Sequence, residues 1–294
     1  MGPGSGGAIV LSGTTFDGGG VAVAVPATLP GFLEYLGPVS AETFFSRVEN
    51  GDRVTDPWFW ATRFALSPHP RFGLGFTRGD MIGGRGNTPV TLKYLLQALV
   101  GDHAGERGEF NSITAGLDAR WRPPLGALPL RLWVEWGFDD GAGAISDSPA
   151  NIIGAELAAV PGLPRLALGL KRTRFHPDCQ CGNTVWYRNW WFRGGWTDER
   201  RPLGHPLGGD GTEWRGEARL DLHRATLDVA GWTRERGPVN LFAPEREGQA
   251  VGGAVGLDVH LRDGWQLRGA FHVEEGQDAD WRERFAEVRL SGRM

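Results

Sequence analysis

The stretch TEWRGEARLDLH, residues 212–223, separates into two sets when every second residue is taken. Thr212, Trp214, Gly216, Ala218, Leu220 and Leu222 form one set; Glu213, Arg215, Glu217, Arg219, Asp221 and His223 form the other. A period of two belongs to an extended strand, whose side chains point alternately to opposite faces, whereas a helix would scatter these charges around its circumference. The segment is a strand with an apolar and a charged face. The fold turns on which of them meets water.

The same alternation recurs elsewhere. SITAGLDARWR (112–122) sets Ile113, Ala115, Leu117, Ala119 and Trp121 against Thr114, Asp118, Arg120 and Arg122. LPLRLWVEWGFDD (128–140) sets Leu130, Leu132, Val134, Trp136 and Phe138 against Arg131, Trp133, Glu135 and Asp139. VGGAVGLDVHLR (251–262) and WQLRGAFHVEE (265–275) follow suit, with Val255, Leu257, Leu267 and Phe271 opposite Asp258, His260, Arg268, His272 and Glu274. Segments of this kind, spaced by Gly, Pro and Asp turns, predict one antiparallel sheet of about 14–16 strands. The connections come in two sizes. Those at 67–70, 122–127, 223–225 and 262–264 are short; 79–109, 139–150, 173–184, 198–211 and 237–249 are long. At 198–211 a short turn is due, so either a strand at 185–197 is split or that loop folds into the lumen. The loop 79–109 contains TPVTLKYLLQALVG, where Pro89 suits a first helical turn and Leu92, Leu95, Leu96 and Leu99 make one stripe, predicting a short helix packed on the barrel mouth.

In a soluble sandwich the apolar faces would form the core. Strand length argues otherwise: the best segments run about 10–13 residues, and ten residues tilted near 45° span roughly 23 Å, the height of an outer-membrane apolar belt. Sandwich strands are typically about 5–6 residues. Trp58, Trp60, Trp121, Trp136, Trp186, Trp214, Trp232, Trp265 and Trp281 fall near strand ends, as interfacial girdles require. Charges of both signs alternate on the polar faces and can pair across strands in a wet lumen. The expectation is an all-β, antiparallel outer-membrane-type barrel over residues 1–294 as one domain, with Leu220 and Leu222 toward lipid and Arg215 to His223 toward the interior.

Composition limits the function. The 294 residues carry a net charge of −4, with 46 glycines, 19 prolines and 13 tryptophans, so no basic surplus draws nucleic acid. No apolar run is long enough for a transmembrane helix, and MGPGSGGAIVLSG at the start has the features of no signal peptide. Cys179 and Cys181, one residue apart near His176, are read as loop residues, because a metal would need further ligands. No cofactor is expected. Ser67 beside His69, and His205 followed by Asp210, form neither a nucleophile elbow nor a paired-carboxylate signature.

Two stretches exceed what strands need. GFTRGDMIGGRGNTP (75–89) and RRPLGHPLGGDG (200–211) hold Gly83, Gly84, Gly86, Gly204 and Gly208, suited to shaping loops, beside Arg85, His205 and Asp210. VWYRNWWFRGGW (185–196) adds Tyr187 and Trp191, flat faces suited to sugar rings. Arg85, Tyr187, Trp191, His205 and Asp210 are the candidate polysaccharide contacts.

The succession SAETFFSRVEN (40–50), WFWATRFALSPHPRFGLGFTRGDMIGGRG (58–86), GEFNSITAGLDARWR (108–122) and YRNWWFRGGWTDERRPLGHPLGGDG (187–211) resembles the Wzi family of capsule-assembly proteins. The resemblance runs from about residue 40 to residue 275, most closely at GGRG and GHPLGGD. It implies an outer-membrane barrel that acts as a lectin, holding capsular or extracellular polysaccharide at the surface of a Gram-negative cell without catalysis. A monomer is expected. Relative to that pattern the chain lacks a signal peptide, the N-terminal helical, lumen-plugging part and a terminal aromatic, so a chain truncated at its N-terminus is expected. Two other functions fit the same strands: a passive porin, which needs an open lumen, and a soluble all-β carbohydrate-active enzyme, which needs solubility without detergent.

Overall fold

The computed structural model describes residues 8–12, 18–23, 25–49, 53–100, 112–126, 128–139, 150–176, 186–188, 191–199, 201–243, 245–261, 265–278 and 280–292. Sixteen strands lie among them: β1 (Gly18–Ala22), β2 (Ala27–Thr28), β3 (Pro38–Arg47), β4 (Trp58–His69), β5 (Phe72–Ile82), β6 (Ser112–Trp121), β7 (Leu130–Asp139), β8 (Ala150–Leu157), β9 (Leu166–Phe175), β10 (Thr197–Asp198), β11 (Arg201–Pro202), β12 (Gly211–Asp221), β13 (Ala225–Arg236), β14 (Gly248–His260), β15 (Gln266–Gly276) and β16 (Arg282–Ser291). Fourteen of these form one antiparallel sheet: β1 and β2 both pair with β3, and from β3 onward the strands follow in order except that β9 pairs directly with β12; β10 and β11 make a separate ribbon of two-residue strands.

The wall is inside out. Glu213, on the charged face of the opening stretch, is fully buried, while its neighbour Trp214 is 50% exposed. The register carries the alternation from strand to strand: Glu213 stands opposite Thr173 of β9 and Arg234 of β13, all three buried, and Trp214 opposite Arg172 and Thr233. Arg63, Asp80, Asp118, Glu135, Asp139, Lys171, Asp258 and Glu274 are buried; Leu117, Trp136, Ile153, Leu170, Val229, Val255, Leu257 and Phe271 are exposed. Water-soluble domains bury apolar side chains and seldom bury charge. Only a wall with an apolar surround and a polar interior makes this pattern favourable.

That wall curls around chain of its own. Residues 186–210 touch β4 through Phe59 against Trp196, β6 through Ser112, β7 through Asp139, β9 through Thr173, β13 through Arg236 and β16 through Phe285 against Arg201. One segment reaching strands from both halves of the sheet requires the sheet to wrap it. All of these contacts lie toward the end where the long connections gather. The short turns, at 70–71, 122–129, 158–165, 222–224 and 261–265, lie at the other.

Of the two readings of 185–211 the structure keeps the second: no strand of the wall occupies 185–197 among the described residues, and β9 connects through 176–210, folded inside the wall, to β12. Two expectations are corrected. Trp186 and Trp232 belong to no girdle; both are buried inside, unlike Trp58, Trp121, Trp136, Trp214 and Trp265, which face outward. Helix α1 (Leu92–Val100) forms, but its first-turn cap is Thr91, whose Oγ1 accepts from Tyr94 N at 3.2 Å, two residues after Pro89. Leu92 and Leu96 are exposed, so this part of the stripe is not packed on the mouth. Cys179 and Cys181 lie outside the described residues.

Candidate functional site at the long-loop mouth

The mouth is built on a dry plug. Ile9, Val10 and Leu11 meet Trp186, Tyr187, Phe192, Trp196, Leu203 and Leu207 inside the wall, against Phe59, Met81, Ile152 and Phe175. The wall leaves room for them with small residues. A Cβ on Gly79 would stand 2.6 Å from the Trp196 ring, and one on Gly137 would stand 2.5 Å from Ile9. Polar side chains of the wall then tie the plug down. Glu135 accepts from Ile9 N at 2.9 Å, Asp139 from Tyr187 N at 2.7 Å, and Ser112 Oγ from Trp196 Nε1 at 3.0 Å.

Tyr187 is the joint of the plug. Its backbone is left-handed (φ +66), and its hydroxyl donates to Ile9 O at 2.5 Å while accepting from His205 N at 3.0 Å. One phenol therefore joins the N-terminal segment to the GHPLGG turn. Gly204 is required there, since a Cβ would fall 2.4 Å from the Tyr187 ring. Burial pushes the Tyr187 phenol well above its usual range, so the proton needed for that donation is retained.

His205 is buried and neutral. Its Nδ1 accepts from Leu207 N at 3.1 Å, which leaves Nε2 to donate to Thr173 Oγ1 at 3.1 Å. Glu213 Oε1 lies 3.7 Å from Nε2, but burial outweighs that carboxylate and holds the imidazole well below the usual histidine range. Glu213 itself is bound by Arg234 Nε at 2.6 Å, with Lys171 Nζ at 3.9 Å. Arg234 also contacts Glu274, which takes Arg236 at 2.7 Å and Trp232 Nε1 at 3.0 Å. The chain of charges thus runs beneath the plug from β9 to β15. Further toward the short turns the interior opens into a cavity of about 380 Å³ lined by Arg215, Glu217, Arg219, Asp228 and Arg268 among others.

At the rim the geometry is wetter. Residues 53–57 and 83–88 lie side by side: Thr55 and Arg85 exchange backbone hydrogen bonds at 3.1 and 2.8 Å, and Arg85 reaches Asp56 at 2.7 Å with its side chain 75% exposed. The Arg53 guanidinium stacks 3.5 Å from the centroid of Trp191. Gly83, Gly84, Gly86 and Gly208 all take left-handed φ, between +61 and +94, so each turn is one that a side chain would strain.

The five candidate contacts therefore divide. Arg85 and Trp191 come to the rim, Trp191 half-buried against the plug core. Tyr187, His205 and Asp210 are buried, the last accepting from Val239 N at 3.1 Å, and their polar groups hold the plug. Arg53 and Asp56 complete the rim pair by pair and were not singled out in the sequence. They sit in a run of turn-forming residues, NGDRVTD (50–56), whose only signal is its charge.

The family model of the capsule assembly protein Wzi matches residues 1–286. Among solved structures, the fold is shared with an Escherichia coli outer membrane protein involved in group 1 capsule assembly, described as a carbohydrate-binding β-barrel. The TM-score is 0.71 at 18% identity, and the match covers 99% of this chain but 63% of that one. The present chain thus spans less than two thirds of the length of its structural neighbour. A comparison with curated proteins finds no match.

Proposed function

The chain belongs to the capsule assembly protein Wzi family, and we propose from that premise that it sits in an outer membrane and holds capsular polysaccharide at the long-loop mouth without transforming it. The observation that carries the reading is the inverted wall closed by its own plug: charge buried, apolar side chains exposed, and a dry core filling the mouth end. Outer-membrane barrels direct their longer loops outward, so the rim of Arg53, Asp56, Arg85 and Trp191 is the part offered to the cell exterior. A guanidinium stacked on an indole beside an exposed Arg–Asp pair suits a glycan, whose ring faces stack and whose hydroxyls and acidic groups pair. Tyr187, His205 and Asp210 support that rim from within. Among the described residues no nucleophile stands beside a base at the rim, which favours retention over hydrolysis.

A passive porin would require an open path, and the packed plug counts against it. The test is retention of capsular polysaccharide by cells or proteoliposomes bearing Trp191→Ala or Arg85→Ala. Loss of retention with unchanged heat-modifiable mobility supports the reading. Normal retention in both variants overturns the rim assignment, and turnover of the glycan by the wild-type chain overturns the non-enzymatic reading.

A further inference from the structure

On the outward face of β6 to β12 the register sets small residues among large ones. Ala119 stands opposite Val134, Val134 opposite Ile153, and Ala155 opposite Leu170. The shortfall of side chain at the two alanines leaves an open, overwhelmingly apolar groove of about 550 Å³, bounded by Trp214 on the β12 side. Ile153 and Leu170 are each more than half exposed along it.

The same groove ends on cations. Arg172 lines it, and Arg174, the next outward residue of β9, lies one step nearer the long loops. Among the described residues neither guanidinium has a carboxylate within ion-pair distance; Arg172 has the Trp214 ring 5.7 Å away, and its Nε has no hydrogen-bond partner. The outward residues opposite them in the register are uncharged: Asn151 and Ile153 on β8, Thr212 and Trp214 on β12. Two guanidiniums with no counter-charge among the described residues, on a face that otherwise seeks hydrocarbon, are unfavourable unless something anionic meets them there.

We propose that this groove is a binding site for a membrane lipid whose phosphate headgroup carries net negative charge, one acyl chain lying over Ala119 and Ala155 and the phosphate held by Arg172 and Arg174. The inference rests on the membrane reading above. Chemistry at both ends of the groove defines the occupant: an apolar trough for the chain, and planar bidentate donors for the phosphate. Arg174 lies toward the long loops, so the lipid belongs to the leaflet on that side. Asn151 and Thr212 offer neutral hydrogen-bonding groups beside the headgroup.

Full-length chain reconstituted in detergent and incubated with bis-phosphorylated lipid A, then with phosphatidylcholine, can be weighed by native mass spectrometry. One lipid A should remain bound to wild-type protein, and the Arg172→Gln/Arg174→Gln variant should retain it at least about tenfold less well. Ala119→Leu/Ala155→Leu, which fills the groove and keeps both charges, should lose it too. Phosphatidylcholine, whose headgroup carries its own cation, should not be held in stoichiometric amount. Equal retention by wild type and the arginine variant overturns the proposal, as does displacement of the lipid by millimolar inorganic phosphate alone, which would make it a bare anion site. Both variants change outward residues only, and their unheated electrophoretic mobility reports a folded wall. Failure of the wild-type chain to enter phosphatidylcholine vesicles, measured first, would overturn the membrane reading instead and is distinguishable from loss of the lipid alone.

Discussion

Arg234 Nε stands 2.6 Å from Glu213 Oε2, and the two residues face each other directly in the β12–β13 register with both side chains buried. Glu213 also lies near Lys171 and His205, so it is a carboxylate that the wall and the plug share. Removing it strands buried cations, whereas an amide keeps a hydrogen bond to Arg234. Glu213→Ala should destabilise the detergent-refolded barrel by about 3–5 kcal/mol, and Glu213→Gln by clearly less. Denaturant midpoints of the two variants check this; equal loss would mean that the carboxylate's charge is the whole effect.

The orientation of the wall can be tested on neighbouring residues of opposite facing. Leu170→Arg places a cation on the apolar exterior and should cost about 2–4 kcal/mol if it lies near mid-bilayer. Arg215 points inward, 2.5 Å from Glu217 over the wet cavity, and Arg215→Gln should cost about 0–1 kcal/mol. Similar tolerance of both changes in vesicle-folded protein would reverse the assignment of faces.

Tyr187→Phe deletes the hydroxyl that bridges Ile9 O and His205 N while leaving the ring in place. Two buried backbone groups lose their partner, at a cost of about 1–3 kcal/mol. The loss should show in the plug rather than in the wall. Limited proteolysis should cut residues 186–210 sooner, and single-channel recording should show openings absent from wild type, while heat-modifiable mobility is kept.

Stability should fall on mild acidification, and His205 gives the sign. Its folded pKa lies well below the ordinary value because burial disfavours the cation, so the unfolded chain takes up a proton near pH 6.5 that the folded chain refuses. This contribution is neutral above about pH 6.5 and opposes folding increasingly below it, by up to about 1.4 kcal/mol per pH unit. His205→Gln should flatten the decline between pH 6.5 and 5 relative to wild type. An unchanged slope would show that other groups carry the acid dependence.

The wall was legible because alternation survives every turn. Thr212 to His223 alone separates the face that carries Trp214 from the face that carries Glu213, and the structure keeps that separation across β9 and β13. Alternation cannot see what fills the lumen. VWYRNWWFRGGW is aromatic and basic, as a mouth strand would be, yet Trp186, Tyr187 and Trp196 are buried in a plug whose surroundings are as apolar as a soluble core. At that end an indole is satisfied inside as well as outside, so tryptophan position alone mistook Trp186 and Trp232 for girdle. Gly-rich turns are equally ambiguous: GGRG borders the wet rim, and GHPLGG packs under Tyr187. Nothing local distinguishes them, because the difference lies in the N-terminal residues 8–12, remote in sequence, that cover the second.

Neighbouring strands of the wall from β3 onward are successive in the chain apart from β9 and β12, whose pairing of Phe175 with Gly211 encloses the plug segment. That seam has a kinetic consequence. Short-turn hairpins can form by local encounter, but closing β9 on β12 must gather the whole intervening segment and carries the larger loss of chain freedom. The arrays β3–β9 and β12–β16 are thus expected to assemble early as two sheets. Their junction would zip last, with residues 186–210 already collapsed between them. A plug anchored at both ends to adjacent strands cannot be threaded in afterwards or expelled as a unit. Assembly order then decides whether the plug is in place at all.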